Sequence, residues 1–205
     1  MKTVTEIFDV FTFDELPENV QDKVVTDFQD INVDFEDWHD FVLEDFKEEL
    51  GKLGWQDVDT SYTGFWSQGD GASWSGRLHS TEVPGFIKMM GWKKYNPLAL
   101  AINKGKVESH FAIIKYGHYS HEYTMHTEYC EFYNLDMPDN SKLLTKLEEL
   151  YEQLERDILE WARDKARELY RKLEDEYTYL TSNESVIECI KANEYEFTID
   201  GKLYR

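Results

Sequence analysis

The chain has 205 residues and a formal net charge of −20, from 42 acidic and 22 basic side chains. That length is enough to bury a core, and the 15% aromatic content excludes wholesale disorder. No apolar run approaches the roughly 18 residues of a membrane span, and no basic-then-apolar leader opens the sequence. A soluble protein is expected.

The charge is uneven. Residues 1–61 hold 18 acids and 4 bases, residues 62–118 hold 3 and 7, and residues 119–205 hold 21 and 11. The middle is the only net-positive section, so it is where an anion would be expected to bind. Over most of the surface the sign is wrong for direct nucleic-acid binding. Cys130 and Cys189 lack CxxC spacing and are expected as free, buried thiols.

Residues 3–13 are β-branched and aromatic and predict an opening strand. Pro17 sits in the first turn of a helix whose stripe is Val20, Val24 and Phe28. A second helix is predicted from Phe35 to Leu53, with Trp38, Phe41, Val42, Phe46, Leu50 and Leu53 on one face and Gly54 as a left-handed cap. Thr60–Trp66 and Ala72–Leu78 predict two short strands joined at Ser67-Gln68-Gly69-Asp70-Gly71. There Gly69 and Gly71 bring backbone N–H groups close to a neighbour, and Tyr62, Phe65, Trp66 and Trp74 brace the turn.

Asn96-Pro97 marks a turn, and Leu98–Asn103 reads equally as helix or strand. Val107–Tyr116 and Tyr119–Asn134 read as a hairpin across Gly117-His118. From Ser141 to Thr181 apolar residues recur every three or four positions without Gly or Pro. If continuous, that helix spans roughly 60 Å. Thr181-Ser182-Asn183-Glu184 predicts the cap of a short helix to about Lys191, and Tyr195–Tyr204 a small arm.

The fold class is therefore α+β: a small, mostly antiparallel sheet from residues 3–13 and 60–135, covered by the N-terminal helices, with a long C-terminal helix. The division is 1–138 for the α+β domain and 139–205 for the helical extension, whose apolar stripe is a candidate homodimer seam.

Several stretches carry a resemblance: Phe13-Asp14-Glu15-Leu16, Gly64-Phe65-Trp66-Ser67-Gln68-Gly69-Asp70-Gly71-Ala72-Ser73, Gly117-His118-Tyr119-Ser120-His121, Leu169–Glu174, Tyr179–Ser182 and Ala192–Phe197. Together they resemble a family of bacteriophage-encoded proteins, some labelled antitoxin. The resemblance implies a phage setting in the host cytoplasm and a pair of recurring motifs, without an activity.

Several chemistries are open to these residues. His118-x-x-His121 offers two imidazoles, short of the three or four ligands of a zinc site. His79-Ser80-Thr81 and His118-Tyr119-Ser120 each give a His-x-Ser/Thr step, the pattern of a two-histidine phosphodiesterase. Acidic helix faces fit a DNA mimic or an antitoxin-like inhibitor of a host defence protein.

The reading carried forward is capture, without turnover, of a small anionic, nucleotide-like host signal. Its candidate ligand-binding residues are Trp66, Gln68, Gly69, Asp70, Gly71, Trp74, Arg77, Lys93, Lys94, His118, Tyr119 and His121, with no catalytic residue, metal or cofactor assigned. Asp70→Ala and Gly71→Val are expected to remove binding and leave melting unchanged.

Overall fold

The computed structural model describes residues 7, 9–35, 37–117, 120–139 and 141–204. In chain order they form β1 (Phe11–Thr12), α1 (Glu18–Asp27), α2 (Asp40–Lys52), β2 (Gln56–Thr63), β3 (Gly71–Leu78), α3 (Val83–Met89) and α4 (Asn96–Asn103). There follow β4 (Val107–Lys115), β5 (Met125–Thr127), β6 (Glu131–Asn134), α5 (Lys142–Leu180), α6 (Asn183–Ala192) and β7 (Glu196–Phe197). The α+β class holds, and α5 is one continuous helix of 39 residues. No helix among the described residues is long and apolar enough to cross a membrane.

The chain divides into two compact units, residues 1–39 with 174–205, and residues 40–173. The boundary expected near residue 138 thus falls inside the larger unit. In the smaller unit β1 pairs antiparallel with β7, Phe11 opposite Phe197. Its core is Phe13, Leu16, Val24, Val25, Val186, Ile190 and Phe197. Ser182 caps α6 by accepting the Ser185 N–H at 3.3 Å. Asn32 donates to the Leu180 carbonyl at 3.0 Å, which satisfies one of the carbonyls left open where α5 ends.

Two expectations are corrected here. The opening strand does not join the main sheet, because its partner lies at the far end of the chain. Helix α1 belongs to the smaller unit and its core. Residues 3–6 and Phe8 lie outside the described residues.

In the larger unit the sheet runs β2-β3-β4-β5, with β6 also on β4, and every pairing is antiparallel. The β run expected over 119–134 becomes two strands because Glu122–Thr124 forms a 3-10 turn ahead of β5. Leu98–Asn103 resolves as helix.

Period-two alternation puts Ala72, Trp74, Gly76 and Leu78 on one face of β3, all buried. Trp74 is fully buried, and its ring meets Trp55 at 5.0 Å, Trp161 at 5.9 Å and Phe46 at 6.4 Å, all near edge-on. Each such pair contributes about 0.5–1.5 kcal/mol beyond the area it buries. Helix α5 supplies the rest of this core with Leu147, Tyr151, Leu154, Ile158, Trp161, Ala162, Ala166 and Leu169. The stripe proposed as a dimer seam is therefore buried within this unit from Leu144 to Leu173.

Strand β2 forms the outer edge of the sheet. Its register slips between Gln56 and Asp59, and Asp57 takes a left-handed backbone at φ 52°. Both cysteines are free and half-buried, and burial pushes the Cys130 thiol up to about 11.

An ion network joins α2 to α5, with Lys165 Nζ 2.5 Å from Glu49 and 2.8 Å from Glu168, and Lys172 3.3 Å from Glu49. Burial opposes ionisation of Glu49, but the hydrogen bonds from Lys165 and Lys172 overcome it and hold its carboxyl below the usual range. A depressed folded value means the stabilisation is complete above the ordinary carboxylate range. It is lost as pH falls through the folded value. Because Glu49 is partly exposed, Glu49→Gln is expected to cost no more than about 1 kcal/mol at pH 7, or about 2–4 °C in melting temperature. Melting curves from pH 7 to 3 should show that gap closing; a gap that persists at pH 3 would assign the loss to packing.

Candidate ligand-binding site

The β2–β3 turn is held by one carboxylate. Asp70 Oδ2 accepts the Ser67 N–H at 2.7 Å, while the Asp70 N–H donates to the Ser67 carbonyl at 3.1 Å. These two bonds close the turn from both sides, with Gly69 at φ 95° and Trp66 at φ 68°. Left-handed backbone costs a tryptophan about 1–2 kcal/mol, so its surroundings must hold it there. Gly64 lies beside the lock, where a Cβ would meet Asp70 Oδ2 at 3.4 Å, in ordinary van der Waals contact.

Beneath the turn, the Phe65 ring contacts Tyr62 at 6.0 Å, Trp66 at 5.6 Å and Tyr170 of α5 at 5.5 Å. Trp66 is 73% exposed above this stack, and Gln68 is exposed beside it.

His121 comes to the same place from β4–β5. A Cβ on Gly71 would stand 2.9 Å from His121 Cδ2, 3.1 Å from His121 Cα and 3.1 Å from the Ser120 carbonyl oxygen. Thr63 Oγ1 donates to that carbonyl at 3.2 Å. The His121 ring stacks on Tyr123 with centroids 4.9 Å apart and planes 11° apart. Its Nδ1 accepts the Tyr123 N–H at 3.2 Å and lies 2.8 Å from Glu122 Oε2. Glu122 is buried, with Oε1 3.7 Å from the Arg167 guanidinium, which also pairs with Asp164.

The fold thus brings together Trp66, Gln68, Gly69, Asp70, Gly71 and His121. His118 and Tyr119 lie outside the described residues. The others are elsewhere.

Trp74 is core, its indole N–H donating to the Ala162 carbonyl at 3.0 Å, so it offers no face to a ligand. Arg77 faces Asp57 at 3.8 Å on the sheet surface. Lys94 lies 2.6 Å from Asp157, whose Oδ2 also accepts the Tyr95 hydroxyl at 2.6 Å. Asp157 and Tyr170 stand thirteen residues apart on α5, about 20 Å along its axis, so Lys94 does not line the turn, and Lys93 beside it is exposed at the same distant place.

Tyr170, Arg167 and Glu122 were missed as neighbours of the turn. Tyr170 did fall within a recurring motif, Leu169–Glu174, and with Arg167 it makes an i, i+3 pair on one helix face. Glu122 had no such signal.

Fold and site together define an α+β protein in which a carboxylate-locked glycine turn presents an aromatic ring and abuts a histidine through Gly71. The chain belongs to the family described as domain of unknown function DUF8835, whose profile matches residues 38–183. No curated protein and no solved structure matches it.

The contacts at Gly71 correct the expectation that Gly71→Val would leave melting unchanged. A Cβ here would collide with the His121 ring and stand tight against two backbone atoms, so even Gly71→Ala must shift His121 and press on residues 120–121, at about 1–3 kcal/mol. Thermal unfolding of Gly71→Ala should show a melting temperature lower by several degrees, and an unchanged value would mean the segment yields freely.

Proposed function

We propose that the chain is a phage-encoded protein that captures a small, nucleotide-like anion at the β2–β3 turn, without turnover, in the infected host's cytoplasm. The observation that supports this is Trp66. A large aromatic ring left 73% exposed on a backbone-locked turn is a ready stacking plane. Gly69 at positive φ lies in the same turn, and the imidazole of His121 lies against Gly71 at its end, so both provide partners for a ligand's polar edge. Lys93 and Lys94 have no part in this reading. The phage setting rests on the sequence resemblance.

A second reading is favoured by one feature of α5. Glu148, Glu152, Glu160 and Asp164 are exposed at four-residue spacing, about 6 Å per step, with Arg156 breaking the row. Such a ridge suits a protein that occupies the phosphate-binding surface of a host nucleic-acid enzyme.

One pair of variants separates the two. Under the capture reading, native mass spectrometry of protein from infected, defence-competent cells shows a bound small molecule. Trp66→Ala loses it, because stacking of a base on an aromatic ring is worth about 1–3 kcal/mol, roughly fivefold to 140-fold in affinity. Phage protection falls with it, while the double variant Glu152→Gln, Glu160→Gln is silent. Protection lost in the acid variant and kept in Trp66→Ala would overturn capture in favour of mimicry.

A further inference from the structure

At the opposite end of β3 the fold assembles a second group that the turn does not use. Register pairs Leu78 with Phe111, and one step further sets His79 opposite His110. Their ring centroids are 5.9 Å apart, with the planes at 79°. His110 in turn lies opposite Glu131 of β6, and Glu108 lies opposite Tyr133. Alternation places His110, Glu108, Glu131 and Tyr133 on one face of the sheet, with Arg77 and away from Phe111. Glu108 Oε2 is 3.9 Å from His110 Nε2. The His110 ring sits 6.4 Å from that of Tyr133.

The backbone under the two histidines is fixed on both sides. Where β3 ends, Ser80 Oγ takes up the Ser109 N–H at 3.1 Å, within the buried layer. The His79 carbonyl accepts the N–H groups of Glu82 at 2.8 Å and Val83 at 3.2 Å at the entry to α3. Neither imidazole is carried on a free loop, and both are half-buried.

We propose that His79 and His110 form a two-imidazole site for a divalent transition-metal ion, with the Glu108 carboxylate adjoining and water completing the coordination. Two imidazoles sharing an ion at about 2.1 Å per nitrogen place their ring centres roughly 5–6 Å apart. Imidazole pairs select zinc, copper and nickel over calcium and magnesium, which prefer oxygen donors. The flanking carboxylates make the surroundings favourable to a cation and unfavourable to a phosphodiester, so the pair suits an ion better than a phosphoryl substrate.

Among the described residues no three His, Cys, Asp or Glu side chains already converge as an ion cage. The two imidazoles are therefore the protein ligands of the site, and the Glu108 side chain, 49% exposed, stands beside them. Eight residues of extended strand separate Gly71 from His79, roughly 25 Å, so this site and the turn are distinct.

The test is titration of the full, untagged chain with Cu²⁺, the tightest-binding of the first-row divalent ions, followed by electron paramagnetic resonance. One equivalent should bind with coupling to two imidazole nitrogens. His79→Gln and His110→Gln should each weaken binding about tenfold or more and leave one nitrogen, while His121→Gln and His126→Gln change nothing. Circular dichroism checks folding of each variant, and Glu108→Gln, at an exposed position, supplies an independent arm with weaker binding expected. No stoichiometric binding, binding unchanged in both His79→Gln and His110→Gln, or loss caused by His121→Gln alone would overturn the site.

Discussion

The bond from the Trp74 indole N–H to the Ala162 carbonyl ties the middle of the sheet to the middle of the longest helix. A carbonyl inside a helix already accepts one amide, and the indole uses its second lone pair. The indole can approach because Ala162 and Ala166 keep that stretch of α5 narrow, and both are fully buried. Around this point Trp55 stacks on Trp161 at 5.8 Å, and Phe86 meets Trp161 edge-on at 5.1 Å. With Trp74 fixed inward, strict alternation decides every other residue of β3. Gly71 is turned toward Ser120 and His121, and Arg77 toward the open face. The β2–β3 turn and the histidine pair are the two ends of a strand whose centre is held by one tryptophan.

Local rules carried much of this. Helix α2 was legible from Val42, Phe46 and Leu50 at four-residue spacing, and Gly54 takes its left-handed cap at φ 93°. It begins at Asp40 and not Phe35, and leaves Phe41 exposed. The strand–turn–strand expected at 60–66 and 72–78 was legible from glycines set among aromatics, but its first strand runs 56–63. The short helix was legible from residues 181–184, though its cap is Ser182. What local rules did not carry was which tryptophan faces in. Trp66 and Trp74 both sit in the same Gly- and Trp-rich stretch, and only the packing of α5 against one face separates an exposed ring from a buried one. The β1–β7 pairing was out of reach for a similar reason. Its two short strands lie at opposite ends of the chain, and two residues carry no pairing signal.

Charge read along the sequence misled in a specific way. The net-positive section 62–118 owed its sign to seven bases, and folding matches four of them with acids from outside it. Arg77 meets Asp57, Lys94 meets Asp157, Lys106 meets Asp136 and Lys115 meets Asp59. Lys115 also donates to Ser61 Oγ at 2.7 Å. Segment sums ignore such partners because the Debye length, about 8 Å at physiological salt, is set in space and not along the chain. Arg77 and Lys94, two of the three bases assigned to an anion site, are counterions of the protein's own carboxylates.

The slip in β2 bears on how this protein behaves when crowded. An open sheet edge is a template on which a second chain can add a strand, so it matters most where copies of the chain are crowded together. Asp57, with its left-handed backbone, interrupts the row of amides that such a strand would need, and Asp59 adds a charge on the same edge. The irregularity that looks like a fault in the ladder is therefore a guard against fibrillar self-association. Its removal would be felt first as turbidity in concentrated solution, before any loss at the turn or the histidine pair.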